Sequence, residues 1–310
     1  MTKHFLSIAD FTTQEIWDVL VLAQKLKKEL KETGKNEPLL DKKTLVMIFE
    51  KPSLRTRLSF ETGMTQLGGH AVYLGPSDIS MGERESISDV AAVASGMGNV
   101  LMARTFKHQT IEKLASYSLT PVINGLSDLE HPCQILSDFL TIWEEKKRLS
   151  DLTIAYTGDG GNNIAHSLCL GSAVLGITFT CASPEGYALL PRVVAKAKKI
   201  AETTKAQIYE THNAEEAVEG ADIVYTDTWV SMGDEKETKK RLSVFPPFQV
   251  NKQLMKLAKH NAIFMHDLPA YRGQEVTEEV IDGPQSVVFD QAENRLHTQK
   301  ALLLNLLGVL

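Results

Sequence analysis

Hydrophobic positions recur along this chain in two rhythms. Between Thr13 and Glu32 they follow a helical spacing, with Ile16, Leu20, Ala23, Leu26 and Leu30 on one face and lysines and glutamates opposite. This is the pattern of a helix that packs one side on a core. Thr44-Leu-Val-Met-Ile-Phe49 is instead a short continuous apolar run, which predicts a strand buried on both faces. The same alternation continues. Strands are expected at His70–Leu74, Asn99–Arg104 and Pro121–Asn124, separated by helical patterns after Ser53, over Ser86–Met97 and near Gln109–Tyr117, and followed by a long helix from His131 to Lys147. A second series has strands at Leu152–Tyr156, Ile177–Ala182, Gln207–Tyr209, Ile223–Thr226 and Ala262–Met265, again with helical patterns between them.

Strands that alternate with helices imply parallel sheets covered on both faces. The fold class expected is therefore α/β, with two doubly wound domains, each a central parallel sheet flanked by helices. Their expected extents are residues 1–148 and 149–290, with a last helix over 291–310 packing back onto the first domain. The length of 310 residues suits two separate cores. In such sheets ligands sit at the carboxyl ends of the strands, and the cleft between domains is the expected site.

Composition narrows the function classes. Hydrophobic residues are 43% and charged residues 23% of the chain, the balance of an ordinary globular protein. A formal net charge of -6 argues against a nucleic-acid surface, so an anionic ligand must be captured by a local cluster of cations. Cys133, Cys169 and Cys181 are odd in number and lack paired spacing, which favours neither a disulfide framework nor a zinc site. The start of the chain lacks the apolar core of a signal peptide, and no stretch has the eighteen or so apolar residues of a membrane span. A cytoplasmic protein with no membrane partner is expected. Glu144-Glu-Lys-Lys-Arg148 reads as the solvated end of the connecting helix.

Chemistry concentrates where strands hand over to helices. Ser53-Leu54-Arg55-Thr56-Arg57 follows the first strand and opens a helix. A helix start is an anion site, with free N–H groups and a positive dipole end. Two hydroxyls and two guanidiniums within five residues can saturate a phosphate. Arg104 ends a strand, and His131-Pro-Cys-Gln134 opens a helix; all lie at the same sheet edge. Arg104 and His131 can donate to a carbonyl oxygen and Gln134 can accept from an NH2, a set suited to a carbamoyl group.

In the second series, Thr157-Gly-Asp-Gly-Gly-Asn-Asn163 occupies the place of a dinucleotide turn, but Asn163 stands where the third glycine belongs, so no nicotinamide cofactor is expected. Asn162 and Asn163 at a helix start suit a substrate carboxylate. Asp227-Thr-Trp-Val-Ser-Met-Gly233 offers a carboxylate for an α-ammonium, pointing to an amino-acid substrate. His266-Asp-Leu-Pro269 turns sharply at its proline, so backbone carbonyls at 267 and 268 can face the cleft and accept from an NH2. Arg295, just inside the last helix, would close that side.

Together these motifs resemble the aspartate/ornithine carbamoyltransferase family over essentially the whole chain. Ser-x-Arg-Thr-Arg at 53–57, His-Pro-x-Gln at 131–134, the Asp-Gly…Asn-Asn turn, Asp-x-x-x-Ser-Met-Gly at 227–233, His-x-Leu-Pro at 266–269 and Glu-Asn-Arg at 293–295 occur in the family's order. The Ser-Met-Gly loop marks the members that use ornithine. The segment Ser80–Ser86 lacks the lysine of those that use aspartate. The resemblance implies that the first domain binds carbamoyl phosphate and the second L-ornithine, giving citrulline and phosphate without metal or cofactor. It implies that Ser53, Leu54, Arg55 and Thr56 hold the phosphate and that Arg104 and His131 hold the carbonyl oxygen. Gln134, the backbone at Asp267 and Leu268, and Arg295 would hold the carbamoyl NH2. Asn163, Asp227, Ser231 and Met232 would bind the ornithine backbone groups. It further implies a homotrimer, or a multiple of trimers, in which the loop carrying Ser80 reaches a neighbouring site. The catalytic groups expected are Arg55, Arg104, His131, Asp267 and Arg295.

Two features depart from the family pattern. Asp267 stands in place of the usual cysteine, and Gly160-Gly161 adds one glycine to the turn. A carboxylate beside the attacking amine either favours its unreactive ammonium form or accepts its proton as a general base. The same departures leave open a different amine acceptor, such as putrescine or aspartate, or a protein that binds carbamoyl phosphate with little turnover.

Overall fold

The structure is a computed structural model that describes residues 2–79, 81, 85–231, 233 and 235–309. Ser80 and Met232, both named above, lie outside the described residues. In chain order the elements are α1 (Thr13–Thr33), β1 (Thr44–Phe49), α2 (Leu54–Gln66), β2 (His70–Leu74), α3 (Ile87–Met97), β3 (Val100–Arg104), α4 (His108–Tyr117), β4 (Val122–Leu126) and α5 (Pro132–Lys146). They continue with β5 (Thr153–Thr157), α6 (Asn163–Leu175), β6 (Thr178–Ala182), α7 (Pro191–Thr204), β7 (Ile208–Thr211), α8 (Ala214–Val218), β8 (Ile223–Tyr225), α9 (Thr238–Val244), α10 (Lys252–Met255), β9 (Ile263–Met265), α11 (Glu278–Ile281) and α12 (Val288–Leu306). The chain divides into two compact units, residues 1–140 with 293–310, and residues 141–292.

The first unit holds a parallel sheet of order β2-β1-β3-β4. Its central strands are buried apart from Thr44, whereas β2, at an edge, is half-buried beyond the exposed His70. The outer side of β4 is covered by the start of the chain, where the Phe5 N–H donates to Val122 O at 2.9 Å and Phe5 O accepts from the Asn124 N–H at 2.8 Å. That pairing satisfies an edge that would otherwise be open. Val46, Ile48, Leu101 and Ala103 pack with Val90 and Ala91 of α3 and with Ile111 and Leu114 of α4. Leu302, Leu303 and Leu304 of α12 are buried. Polar ties fix α12 to this unit: Lys27 Nζ donates to Asn294 Oδ1 at 2.7 Å, and Lys300 Nζ to Asn36 Oδ1 at 2.6 Å and Gln66 Oε1 at 2.8 Å.

The second unit holds a five-stranded parallel sheet of order β7-β6-β5-β8-β9. α6 is buried along almost its whole length, and its sequence is accordingly made mostly of apolar and small residues. Ala155, Val224 and Phe264 pack with residues of α8, α10 and α11. Both sheets are parallel and helix-flanked, the α/β arrangement that the alternating pattern predicts. Among the described residues no helix is long and apolar enough to cross a membrane.

Candidate active site

In the first unit, Ser53 is the N-cap of α2. Its backbone is extended, and its Oγ accepts from the Thr56 N–H at 3.3 Å. The first turn of α2 carries no acidic residue, so its positive end is not neutralised from within. Thr56 is fully buried, while Ser53 and Arg55 are half-buried and Leu54 is exposed. Arg57 is the exception in the motif. It bonds to Glu61 at 2.9 Å and stacks on Tyr73 at 3.9 Å, so its guanidinium serves the helix surface and not the cluster of cations.

Arg104, at the end of β3, His131, directly before α5, Gln134 in its first turn and Arg295 in α12 are all buried. Arg295 Nη2 donates to Thr56 Oγ1 at 2.9 Å. Gln134 Nε2 donates to Asp138 Oδ1 at 2.9 Å, while its Oε1 is buried without a partner among the described residues. The acceptor face of this amide is thus available to an NH2 group. Burial drives the His131 pKa well below its ordinary value, and Arg295, Arg104, Arg55 and Lys51 push it further the same way. His131 is therefore a neutral imidazole within the field of four cations. A pocket of that charge demands an anion. Lys51, buried two residues before the motif, was not singled out from the sequence; a lysine between a strand and an anion-binding turn is the signal that marks it.

Cys133 lies beside these groups but is chemically quiet. Its Sγ donates to Asn124 O at 3.3 Å, and burial pushes its thiol up to about 12, so no thiolate forms near neutral pH.

In the second unit, Asn162 is the N-cap of α6 and Asn163 its first residue. Asn162 Oδ1 accepts from the Ala165 N–H at 2.9 Å, and its Nδ2 donates to Asp227 Oδ2 at 2.7 Å. Asp227 Oδ1 accepts from the Thr228 N–H at 2.6 Å. Asn162 therefore orients Asp227. The sequence reading assigned it a carboxylate ligand instead, because an amide at a helix start reads equally as cap or anion donor. Ser231 is half-buried in the loop that follows.

Asp227 faces Asp267, with a carboxyl oxygen of each within 4.8 Å of the other. Burial, then the charge of Asp267, raise the Asp227 carboxyl well above the usual range. One proton held between two carboxyls is the expected outcome. His266 lies next to them, fully buried. Its Nδ1 accepts from the Leu268 N–H at 2.9 Å, which places its proton on Nε2, 3.2 Å from Glu275 Oε1. Asp227, His266 and Asp267 have ligand atoms within 4.8 Å of one another. A metal needs a free imidazole lone pair, however, and here one nitrogen accepts from Leu268 while the other carries the proton, so the trio reads as a carboxyl pair on a hydrogen-bonded support. Leu268 has φ +60°, a conformation costly for leucine and braced by that bond to His266.

Two clusters of polar side chains thus stand at strand ends: cations, an imidazole and an amide in the first unit, and a pair of carboxyls beside amides in the second. Such sites on parallel α/β sheets define a group-transfer enzyme with a phosphorylated donor and an amine acceptor. The comparisons agree. Residues 3–144 match the family model described as aspartate/ornithine carbamoyltransferase, carbamoyl-P binding domain, and residues 150–306 match the corresponding Asp/Orn binding domain. The chain belongs to the aspartate/ornithine carbamoyltransferase family. It is 52% identical over 305 residues to an ornithine carbamoyltransferase of Anoxybacillus flavithermus, covering 98% of this chain and 96% of that protein. It is 48% identical over 306 residues to an anabolic ornithine carbamoyltransferase of Pyrococcus furiosus, covering 99% and 96%. Solved structures are similar too. The ornithine carbamoyltransferase from Pyrococcus furiosus superposes with a TM-score of 0.95 at 48% identity, over 99% of this chain and 97% of that one. The ornithine transcarbamoylase of Giardia lamblia superposes with 0.90 at 34% identity, over 99% and 98%.

Proposed function

We propose that this protein transfers the carbamoyl group of carbamoyl phosphate to the δ-amine of L-ornithine, giving L-citrulline and phosphate, with the side chains described above in the following roles. The neutral His131 amid Arg55, Arg104, Arg295 and Lys51 is the observation that carries the donor side. A site with that excess of positive charge stabilises a dianionic phosphate and the oxyanion that forms when the carbonyl is attacked.

Ser53, Leu54, Arg55 and Thr56 hold the phosphate through side chains and the N–H groups of the first turn of α2. Arg104 and His131 donate to the carbonyl oxygen. Gln134 Oε1 accepts from the carbamoyl NH2, together with the backbone carbonyls of Asp267 and Leu268, and Arg295 orients Thr56. On the acceptor side, Asn163 and Ser231 meet the ornithine carboxylate and Asp227 its α-ammonium; Met232 and Ser80 complete the family's set. The lone pair of the neutral δ-amine attacks the carbonyl carbon, the C–O bond to phosphate breaks, and phosphate leaves with the bonding pair. The attacking nitrogen gives up a proton, which Asp267 accepts. Asp267 is suited to this as a carboxyl group beside Asp227. No covalent enzyme intermediate is required.

The assembly we propose is a homotrimer or a multiple of trimers in the cytoplasm. A role in arginine biosynthesis is supported by the similarity to the anabolic Pyrococcus furiosus protein. Replacing Arg104 with alanine tests the assignment: turnover is expected to fall by about two to three orders of magnitude, the scale of losing one oxyanion donor, and a fall of less than about threefold would remove Arg104 from that role.

A further inference from the structure

The second unit contains a buried cation that none of the roles above uses. Arg241, in α9, is almost fully buried, and so is Asp159, in the glycine turn after β5. Arg241 Nη1 donates to Asp159 Oδ2 and also to Trp229 O at 2.9 Å, and its Nε donates to Glu237 Oε2 at 3.2 Å. The guanidinium lies 5.0 Å from the Tyr187 ring and 5.9 Å from that of Phe245. Tyr187, Trp229 and Phe245 form their own apolar cluster around it.

The two acceptors of Nη1 belong to the two segments that carry the acceptor-binding groups. Asp159 precedes Asn162 and Asn163, and its Oδ1 accepts from the Gly161 N–H at 2.9 Å, so it shapes the turn that delivers both amides. Trp229 lies between Asp227 and Ser231. Its main-chain carbonyl is thus a handle on the loop that carries the carboxylate and the hydroxyl. Asn162 links the same two segments a second time, through Asp227.

We propose that Arg241 is a positioning residue for the amino-acid acceptor: by bridging Asp159 and the Trp229 carbonyl it sets the distance between the glycine turn and the Asp227–Gly233 loop, and so the fit of the acceptor's α-carboxylate and α-ammonium. The proposal rests on the acceptor roles given to Asn163, Asp227 and Ser231. A buried charge that loses its partner perturbs its surroundings strongly, and small misplacements of binding groups weaken substrate affinity and orientation.

Steady-state kinetics of the full-length protein with carbamoyl phosphate and ornithine test it, using Arg241→Met and, as a gentler change of the same bridge, Asp159→Asn. Partial unfolding lowers the apparent kcat by reducing the active fraction but leaves KM alone, so KM isolates positioning from stability. The expected result is an ornithine KM raised by about tenfold or more in both variants with the carbamoyl phosphate KM within about twofold of the unaltered protein. An ornithine KM raised less than about threefold, or both KM values rising together, would overturn the role of Arg241. An unaltered protein that forms no citrulline would overturn the acceptor roles and this proposal with them, which separates the two failures.

Discussion

Arg295 of the last helix donates a hydrogen bond from Nη2 to the Thr56 hydroxyl at 2.9 Å, across 239 residues of chain. It joins the far end of the sequence to the middle of the anion-binding turn, so the donor site is complete only when α12 docks on the first unit. Both side chains are buried, Thr56 wholly so. Replacing Thr56 with valine preserves volume and removes the hydroxyl proposed to donate to the phosphate, which is also the acceptor for Arg295. Turnover is expected to fall by about 10²-fold, the lower end for loss of one such donor, while the fold persists. Rates measured beside thermal melting check this; a rate within about threefold of the unaltered protein would contradict the placement.

The Asp227–Asp267 pair makes ornithine binding depend on pH. Burial and Asp267 raise the Asp227 carboxyl, so below its shifted pKa the group is protonated, and an α-ammonium must displace that proton to bind. The ornithine KM is therefore expected to rise as pH falls through that range, and calorimetry in buffers of different ionisation enthalpy should register proton release on binding. Asp227→Asn should raise the KM and remove its pH dependence. The pH profile of turnover should rise toward alkaline pH as the attacking δ-amine beside Asp267 loses its proton, whereas a profile flat from neutral upward would contradict an amine held there as its ammonium form.

Stability should respond to pH at two buried bases of the first unit. Burial lowers His297 to about 4, with Lys300 and Lys27 acting in the same direction. The unfolded chain binds this proton near pH 6.5, so the stability that His297 contributes is complete above about 6.5 and is lost as pH falls toward about 4. Lys300 is lowered to about 8 by burial, against about 10.4 in the unfolded chain, so stability rises as pH increases from about 8 to about 10.4. Melting temperatures across both windows, with His297→Gln and Lys300→Met as controls, check the assignments: His297→Gln should flatten the acidic window and leave the alkaline one, whereas Lys300→Met should flatten the alkaline window and narrow the acidic one by removing a charge that holds His297 down.

The two central glycines of the turn after β5 are not equivalent. A Cβ on Gly160 would lie 2.8 Å from Tyr187 O and 3.0 Å from Leu189 N, both backbone atoms. A Cβ on Gly161 would meet Asp159 Oδ1 at 3.2 Å, where a side chain can yield. Gly160→Ala should therefore destabilise by about 1 to 3 kcal/mol, the usual cost of overpacking, and Gly161→Ala by clearly less. Equal melting temperatures for the two variants would contradict this.

Much of the architecture was legible because parallel strands buried on both faces leave unbroken apolar runs, as at Thr44–Phe49 and Val100–Arg104. The helix starts after Ser53 and at Asn162–Asn163 were legible because polar turns there follow apolar runs directly. Side-chain pairing was not. The bonds from Asn162 to Asp227 and from Arg241 to Asp159 span 65 and 82 residues, and neither periodicity nor local spacing records which distant polar groups meet. Arg57 shows the converse failure. It is adjacent in sequence to the anion cluster, yet one helical turn brings it to Glu61 and the Tyr73 ring. Lys51 and Arg241 read from sequence as ordinary charges and only burial distinguishes them.

Carbamoyl transfer to ornithine is read out by an acceptor assay. With carbamoyl phosphate present, ornithine, putrescine and aspartate are supplied in turn and the carbamoylated product is quantified. Citrulline is expected from ornithine, with putrescine and aspartate carbamoylated at rates lower by about 10²-fold or more, because putrescine lacks the α-carboxylate proposed to meet Asn163 and Ser231 and aspartate lacks a δ-amine. Comparable or faster carbamoylation of either alternative, or binding of carbamoyl phosphate with no citrulline formed, would contradict it.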